Sequence, residues 1–220
     1  MEAVHVFPDS DHVIMQSDVK RKKMQYALDY ISMLGTSGLS FAGISGSVSY
    51  EPGEQDDVDI FLIAEDGRLW EIIFRAFIRR RLLGMHDICV SLCMSASYAL
   101  DYYSKILDPL IADDAVHVIP VYGRPYYEQL LSVIGRDNIH ATHGSKSRRW
   151  SLRSGISRIL FIMLAPMMII KGLIVNHHLV SAGRESESFK TLVSSNYFVL
   201  DSAKYRTLME RRRAGSENLD

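Results

Sequence analysis

The sequence predicts an α+β fold, with a small mixed β-sheet flanked by helices and a helical C-terminal region. Up to about residue 94, stretches with the apolar spacing of a helix alternate with short stretches of β-branched and apolar residues. After about residue 148 the pattern is helical only. Between these parts, 136–147 is polar and rich in Gly, His and Asn. We therefore expect an α/β core over 1–135, a loop or hinge over 136–147 and a helical region over 148–220.

The first part of the core is predicted to be a helix and two strands. Apolar residues recur at helical spacing over 17–34, and the glycine at 35 ends this predicted helix. A short apolar run at 41–45 predicts the first strand. Turn-forming residues occupy 51–55, and a second strand is predicted at 60–64.

The second part of the core continues this alternation. Helical spacing predicts a helix over 68–83, whose terminal arginines suit the helix dipole. A third strand is predicted at 88–94 and another helix at 122–134. Cys89 and Cys93 are expected to share one face of the third strand as reduced thiols, because no Cys/His cluster with zinc spacing accompanies them.

Composition limits the function. The chain has 220 residues, 47% hydrophobic and 23% charged, so it can bury a full core. Its formal net charge is −1 and its pI is about 6.7. Non-specific nucleic-acid binding usually needs a strongly basic surface, so this charge argues against it as the main task. The N-terminus lacks the basic start and apolar run of a secretory signal, and we expect a cytoplasmic protein.

The most informative stretch places a Gly-Ser pair after the first strand and a D-x-D pair at the head of the second. The pairs are Gly46-Ser47 and Asp57-x-Asp59. Side chains alternate along a strand, so Asp57 and Asp59 project from one face about 7 Å apart at the backbone, whereas Asp56 points away into solvent. Two such carboxylates repel each other unless a cation lies between them. Mg²⁺ is a cation that prefers these oxygen ligands.

These residues resemble the pattern of the nucleotidyltransferase superfamily. The pattern is Gly followed by Gly or Ser and, roughly nine to thirteen residues later, two acids separated by an apolar residue. The matching residues are Gly46, Ser47, Asp57, Val58, Asp59 and Ile60. The residues that follow resemble a prokaryotic subgroup. The resemblance is specific over about 40–70 only, with a weaker likeness at 118–123 and 201–206.

The resemblance implies a minimal, DNA polymerase β-like nucleotidyltransferase domain. Such a domain transfers a nucleoside monophosphate from an NTP to an acceptor hydroxyl. Asp57 and Asp59 would bind two Mg²⁺ ions, which stabilise charge on the attacking and leaving oxygens. Gly46 would admit the triphosphate close to the backbone, and Ser47 would donate to its β or γ phosphate. The near-neutral charge favours a small molecule or a protein as acceptor over a nucleic acid.

The resemblance also calls for a third carboxylate on a neighbouring strand. Asp87, at the head of the third strand, is the candidate, as both a catalytic residue and a metal ligand. Alternatively, Ser91 occupies the position that faces the metals, and the site has two acids only. In that case we expect a catalytically inactive nucleotide-binding or protein-interaction module, such as the partner half of a two-component system.

An apolar segment at 159–175 dominates the C-terminal region. Its uninterrupted apolar part ends at Lys171. A membrane-spanning helix needs about twenty apolar residues, and this part is shorter. Pro166 weakens the case for a spanning helix further. We expect a buried helix, which also suits a homodimer interface. Membrane association is the alternative, because basic residues precede the segment. These are Arg148, Arg149, Arg153 and Arg158.

Overall fold

The computed structural model describes residues 18–105, 109–134 and 152–203, together with residue 207. Its strands are β1 (Leu39–Ser45), β2 (Val58–Ala64), β3 (Ile88–Ser95), β4 (Ile119–Tyr122), β5 (Phe189–Val193) and β6 (Tyr197–Ser202). Its helices are α1 (Asp18–Leu34), α2 (Leu69–Leu82), α3 (Ala96–Ser104), α4 (Pro109–His117), α5 (Arg124–Val133) and α6 (Leu152–Ser181). Short 3₁₀ turns occupy Gly46–Ser49 and Glu185–Glu187. The predicted mixed α+β class is confirmed.

The six strands form a mixed sheet in the order β4-β1-β2-β3-β6-β5. β2 and β3 run parallel, and the other neighbouring pairs run antiparallel. A parallel pair needs a crossover connection, which α2 supplies. Because parallel neighbours begin at the same end, Asp59 lies opposite Cys89 at the start of both strands. The end of β1 reaches the same place, since Ser45 pairs with Asp59.

Both faces of the sheet are covered by helices. One face of β2 contributes Val58 and Ile60 to a core with α1, α2 and α6. The opposite face contributes Phe61 and Ile63 to a second core with α3, α4 and α5. By alternation, Asp59 belongs to this second face. Its carboxylate therefore lies at the end of a buried apolar layer.

Most elements of the core lie where their sequence patterns predict them, namely α1, β1, β2, α2 and β3. The helix predicted at 122–134 begins only at Arg124. Residues Ile119–Tyr122 instead form β4, and Gly123 adopts a left-handed conformation, with φ of 76°, before the helix starts. Helices α3 and α4 occupy stretches for which no element was predicted.

The C-terminal region contains strands as well as the predicted helix. α6 is followed by a hairpin of β5 and β6, and β6 pairs with β3, so this region completes the sheet of the core. Half-buried and exposed residues alternate along β5, which is the pattern of a strand with one covered face. The hinge predicted at 136–147 lies outside the described residues.

For the segment 159–175, the prediction of a helix is confirmed, but the prediction that this helix is buried is wrong for most of the helix surface. The segment is helical, yet only 11% of the most apolar stretch of α6 is buried. α6 lies outside α2 and β5, which cover one side of it only. By length and composition, Gly155–Ser181 is the one candidate membrane span among the helices of the described ranges.

Candidate functional site

The candidate site lies where the turn after β1 meets the start of β2. The 3₁₀ turn Gly46–Ser49 follows directly on Ser45, the partner of Asp59 across the two strands. Gly46 has a positive φ of 65°, and a Cβ atom at this position would lie 2.9 Å from Cγ of Asp59. Only glycine fits both this conformation and this space. Gly46 and Asp59, which the sequence predicts to share a site, are therefore in close contact.

Hydrogen bonds fix the shape of the turn. Ser49 Oγ donates to the carbonyl oxygen of Gly46 over 2.7 Å. The amide of Tyr50 donates to the carbonyl oxygen of Ser47 over 3.1 Å. Ser47 itself is half-buried, so part of it is accessible to a ligand.

Helix α1 holds the connection between this turn and β2. Lys20 Nζ donates to the carbonyl oxygen of Tyr50 over 2.6 Å, and Lys23 Nζ donates to the carbonyl oxygen of Asp56. The Asp56 carboxylate accepts the amide of Gly53 over 2.9 Å and so closes a local turn. Sequence reasoning missed both lysines. The two lysines are three residues apart and therefore lie on one side of the helix, and this spacing could have identified them from the sequence.

Asp59 is the half-buried acid of the site. The hydroxyl of Ser91 and the thiol of Cys89, both on β3, donate hydrogen bonds to its carboxylate. Burial raises the pKa of Asp59 to about 7 against the opposing effect of these hydrogen bonds, and nearby negative charges raise it further. Without a cation, Asp59 therefore keeps its proton up to a much higher pH than an ordinary aspartate does.

Two other acids contribute those negative charges. Asp57 is exposed immediately before β2, and Asp114 is half-buried on α4. The charge of each raises the pKa of Asp59. α4 packs against the connection through His117, whose ring stacks on Tyr50 with centroids 4.8 Å apart. Asp114 was missed from the sequence, because no pattern in the chain reveals that α4 lies beside the start of β2.

Asp87, the predicted third acid, lies exposed in the turn before β3. Its carbonyl oxygen accepts the amide of Val58 over 2.8 Å. Its charge acts on Tyr26, whose pKa is raised by burial first and by Asp87 second. Within the described ranges, no group of three His, Cys, Asp or Glu residues could hold a metal ion. The structure therefore does not bring Asp57, Asp59 and Asp87 together as a three-acid metal site.

On β3, a hydroxyl and a thiol approach Asp59 where the resemblance calls for a carboxylate. Ser91 falls at a shift in the pairing of β2 with β3 and forms a β-bulge. The bulge reverses the alternation, so Cys93 lies in the core on the face opposite Cys89. The prediction that the cysteines share one face is wrong for this reason. Burial raises the pKa of Cys89, so its thiol stays protonated and donates to Asp59.

Asp57 and Asp59 are the two acids of this site that could hold a hard divalent cation. Mg²⁺ is usually held by one or two carboxylates together with phosphate oxygens and water, and Asp57 and Asp59 can supply the carboxylates. A cation here would also favour the ionised form of Asp59.

No protein-family model, curated protein or solved structure matches this chain. The resemblance to nucleotidyltransferases therefore rests on the motif residues.

Proposed function

We propose that this chain is a Mg²⁺-dependent nucleotidyltransferase, which transfers a nucleoside monophosphate from an NTP to an acceptor hydroxyl. The observation that supports this proposal most strongly is the packing of Gly46 against the Asp59 carboxylate. This contact joins the two halves of the motif, the Gly-Ser turn and the D-x-D strand. A pair of solvated acids at a strand end needs no such contact.

Each motif residue has a role in this proposal. Asp57 and Asp59 bind Mg²⁺, while phosphate oxygens of the NTP and water complete its ligands. Bound Mg²⁺ supplies the positive charge that stabilises the transferred phosphoryl group. Gly46 allows the triphosphate to approach the turn, and Ser47 donates a hydrogen bond to it. Asp59 binds the cation in its ionised form, so nucleotide binding should strengthen as the pH rises through about 7.

The proposed acceptor is a hydroxyl of a small molecule or of a protein. A formal charge of −1 provides no strong field to attract a nucleic acid. The proposed compartment is the cytoplasm, where thiols such as Cys89 and Cys93 stay reduced.

The second candidate is a module that binds nucleotide without transferring it. It is favoured by one specific observation, which is that Ser91 and Cys89, and not a carboxylate, face Asp59 from β3. A hydroxyl and a protonated thiol do not share a catalytic metal or deprotonate an acceptor as a carboxylate does. In this case the chain would act through a partner protein.

Calorimetric titration of each NTP with Mg²⁺ tests the nucleotide site. The wild type is compared with Asp57→Asn/Asp59→Asn, and Asp56→Asn serves as the matched control because it alters an adjacent acid that closes a turn. We expect Mg²⁺-dependent binding that is lost in the double variant and kept in the control. Absence of binding to a folded wild type would exclude both candidate functions.

Release of pyrophosphate separates the two candidates. The protein is incubated with labelled NTP, Mg²⁺ and a mixture of small-molecule and protein acceptors. Pyrophosphate released by the wild type and abolished by Asp59→Asn supports the transferase. Tight Mg²⁺–NTP binding without any release supports the binding module.

A further inference from the structure

The outer face of α6 is a broad exposed apolar surface, which the exposed His177 interrupts towards the end of the helix. We define the outer face as the exposed large apolar residues of this helix. They are Ile156, Ile159, Ile162, Met163, Met167, Ile169, Ile170, Leu173, Ile174 and Val180. Met163 and Leu173 expose 67% and 65% of their surface. Ten such side chains amount to roughly 1,000 Å² of apolar surface, more than the few hundred Å² that a soluble monomer usually exposes in one patch.

The opposite side of α6 is fixed to the rest of the fold along its length. Near its start, Ser157 Oγ accepts the amide of Trp70 over 3.0 Å, and Phe161 packs on the Trp70 ring with centroids 5.1 Å apart. Near its end, Asn176 Oδ1 accepts the amide of Phe189 over 3.0 Å. To cross a bilayer, α6 would have to give up these polar contacts. While α6 keeps these contacts, only its outer face, which points away from the rest of the fold, is open to a partner.

Charge is distributed around α6 in a way that points to its partner. The helix contains no Asp or Glu. Arg158 and Lys171 are both exposed, and at about 100° per residue they flank the outer face on opposite sides. Long basic side chains beside an apolar face can reach the phosphates of lipid headgroups while the apolar side chains enter the acyl region.

We propose that the outer face of α6 docks this protein, with the helix lying in the plane of the membrane surface, on bilayers that contain anionic lipids. A shallow, open apolar depression of about 490 Å³ runs along one edge of the outer face and is lined by Phe161, Ile162, Ala165, Pro166, Ile169 and Ile170. The basic side chains beside the outer face match the anionic headgroups, and its apolar area matches the acyl region of the bilayer. The sheet and its candidate site remain on the aqueous side.

A second copy of the chain fits the outer face less well. Two copies of α6 would bring together basic residues without any acid on either helix. Two facing helices also bury a narrow stripe, and the positions beside that stripe are usually charged. In α6 the flanking positions Ile162, Met167 and Ile169 are apolar instead. A broad apolar surface with basic edges is the chemistry of a membrane interface.

Co-sedimentation with vesicles tests this proposal. The whole chain is mixed with vesicles of phosphatidylcholine alone or of phosphatidylcholine and phosphatidylserine in a ratio of about 7:3, at low and high salt. We expect binding to the anionic vesicles that weakens with salt. Met163→Glu/Leu173→Glu should weaken it more than about tenfold, because two inserted apolar side chains are lost. Arg158→Gln/Lys171→Gln should reduce the preference for anionic lipid.

The matched control is Leu82→Glu, which places the same charge on a residue of α2 that is 79% exposed. This variant should bind vesicles as the wild type does. Thermal melts followed by circular dichroism confirm that each variant is folded. Light scattering after size exclusion measures the oligomeric state without lipid.

Three results would overturn the proposal. One is no vesicle binding, together with a dimer that Met163→Glu/Leu173→Glu dissociates, because the second copy then covers the outer face. Another is vesicle binding that resists alkaline carbonate extraction, because α6 then spans the bilayer. The third is equal loss of vesicle binding in Leu82→Glu, because the outer face is then not the docking surface.

Discussion

In most soluble proteins charged groups are exposed and apolar groups are buried. The start of β2 and the outer face of α6 are two regions of this molecule that depart from that distribution. At the start of β2, the acid Asp59 is placed at the end of a buried layer. On α6, apolar side chains such as Met163 and Leu173 face solvent. Each arrangement costs free energy in the isolated chain, and a binding partner of matching chemistry would relieve each of them. The comparison predicts a cation for the first region and a lipid surface for the second.

Gly46→Ala should produce the largest effect, because it breaks the contact on which the first region depends. The added Cβ would lie 2.9 Å from Asp59 Cγ, in a backbone conformation with φ of 65°. Strain and overpacking together should lower the free energy of unfolding by about 2–6 kcal/mol and remove nucleotide binding. Chemical denaturation and calorimetry measure the two effects.

Gly84→Ala is the matched control for this substitution. Gly84 has the same φ of 65°, but nothing lies within 4 Å of the position that a Cβ would occupy. It should cost about 1–2 kcal/mol from the left-handed conformation alone and leave nucleotide binding intact. Equal effects at Gly46 and Gly84 would mean that the contact with Asp59 has no special importance.

Asp59→Asn should stabilise the metal-free protein at alkaline pH. The pKa of Asp59 rises from 3.8 to about 7 on folding, mainly through burial. Below about pH 4 both states hold the proton. Between pH 4 and 7 the unfolded chain releases a proton that the folded chain keeps, so the free energy of unfolding falls as the pH rises. The variant lacks this loss and should be more stable than wild type by on the order of 4 kcal/mol at pH 8.

Thermal melts at pH 4 and pH 8 measure this difference. Mg²⁺ at pH 8 should raise the melting temperature of the wild type more than that of Asp59→Asn, because only the wild type offers an ionised buried ligand. Asp57→Asn removes an exposed neighbouring charge and should lower the pKa of Asp59. A wild-type stability that rises between pH 4 and 7 in step with Asp59 ionisation would contradict the buried-acid interpretation.

Ser157→Ala should weaken the docking of α6, on which the second region depends. Its hydroxyl accepts the amide of Trp70, one of the first amides of α2, which has no partner within its own helix. Loss of this acceptor leaves a buried donor and should cost about 1–2 kcal/mol, measured by urea denaturation. Ser181→Ala, at an exposed position of the same helix, should cost less than about 0.5 kcal/mol. Equal costs would indicate that this hydrogen bond does not hold α6 in place.

Local patterns were enough to predict the centre of the fold. α1, β1, β2, α2 and β3 carry strong apolar periodicity, and each lies where that periodicity predicts it. Sequence reasoning also placed Gly46 and Asp59 in one site, because both belong to the motif, and the antiparallel pairing of β1 with β2 brings them into contact. Sequence reasoning therefore found two residues that share the candidate site.

The parts that were missed depend on contacts between distant segments. The β-bulge at Ser91 arises from the pairing of β3 with β2, and it places Cys93 on the face opposite Cys89. Asp114 reaches the site through the packing of α4. The exposure of α6 depends on how few elements lie beside it, which apolar composition alone does not reveal. Periodicity gives the face of an element but not the neighbour that covers it.

Asp87→Asn should have the smallest effect, and it sharpens the interpretation of the first region. Asp87 is exposed in the turn before β3 and belongs to no metal-holding group of the described residues. Its substitution should leave the affinity for Mg²⁺–NTP within about twofold of wild type, since an exposed charge contributes little. Calorimetry measures the affinity, and pyrophosphate release measures turnover. If turnover falls about a hundredfold while affinity and stability are unchanged, Asp87 acts in the chemical step, and the turn before β3 must then move towards Asp59 when substrate binds.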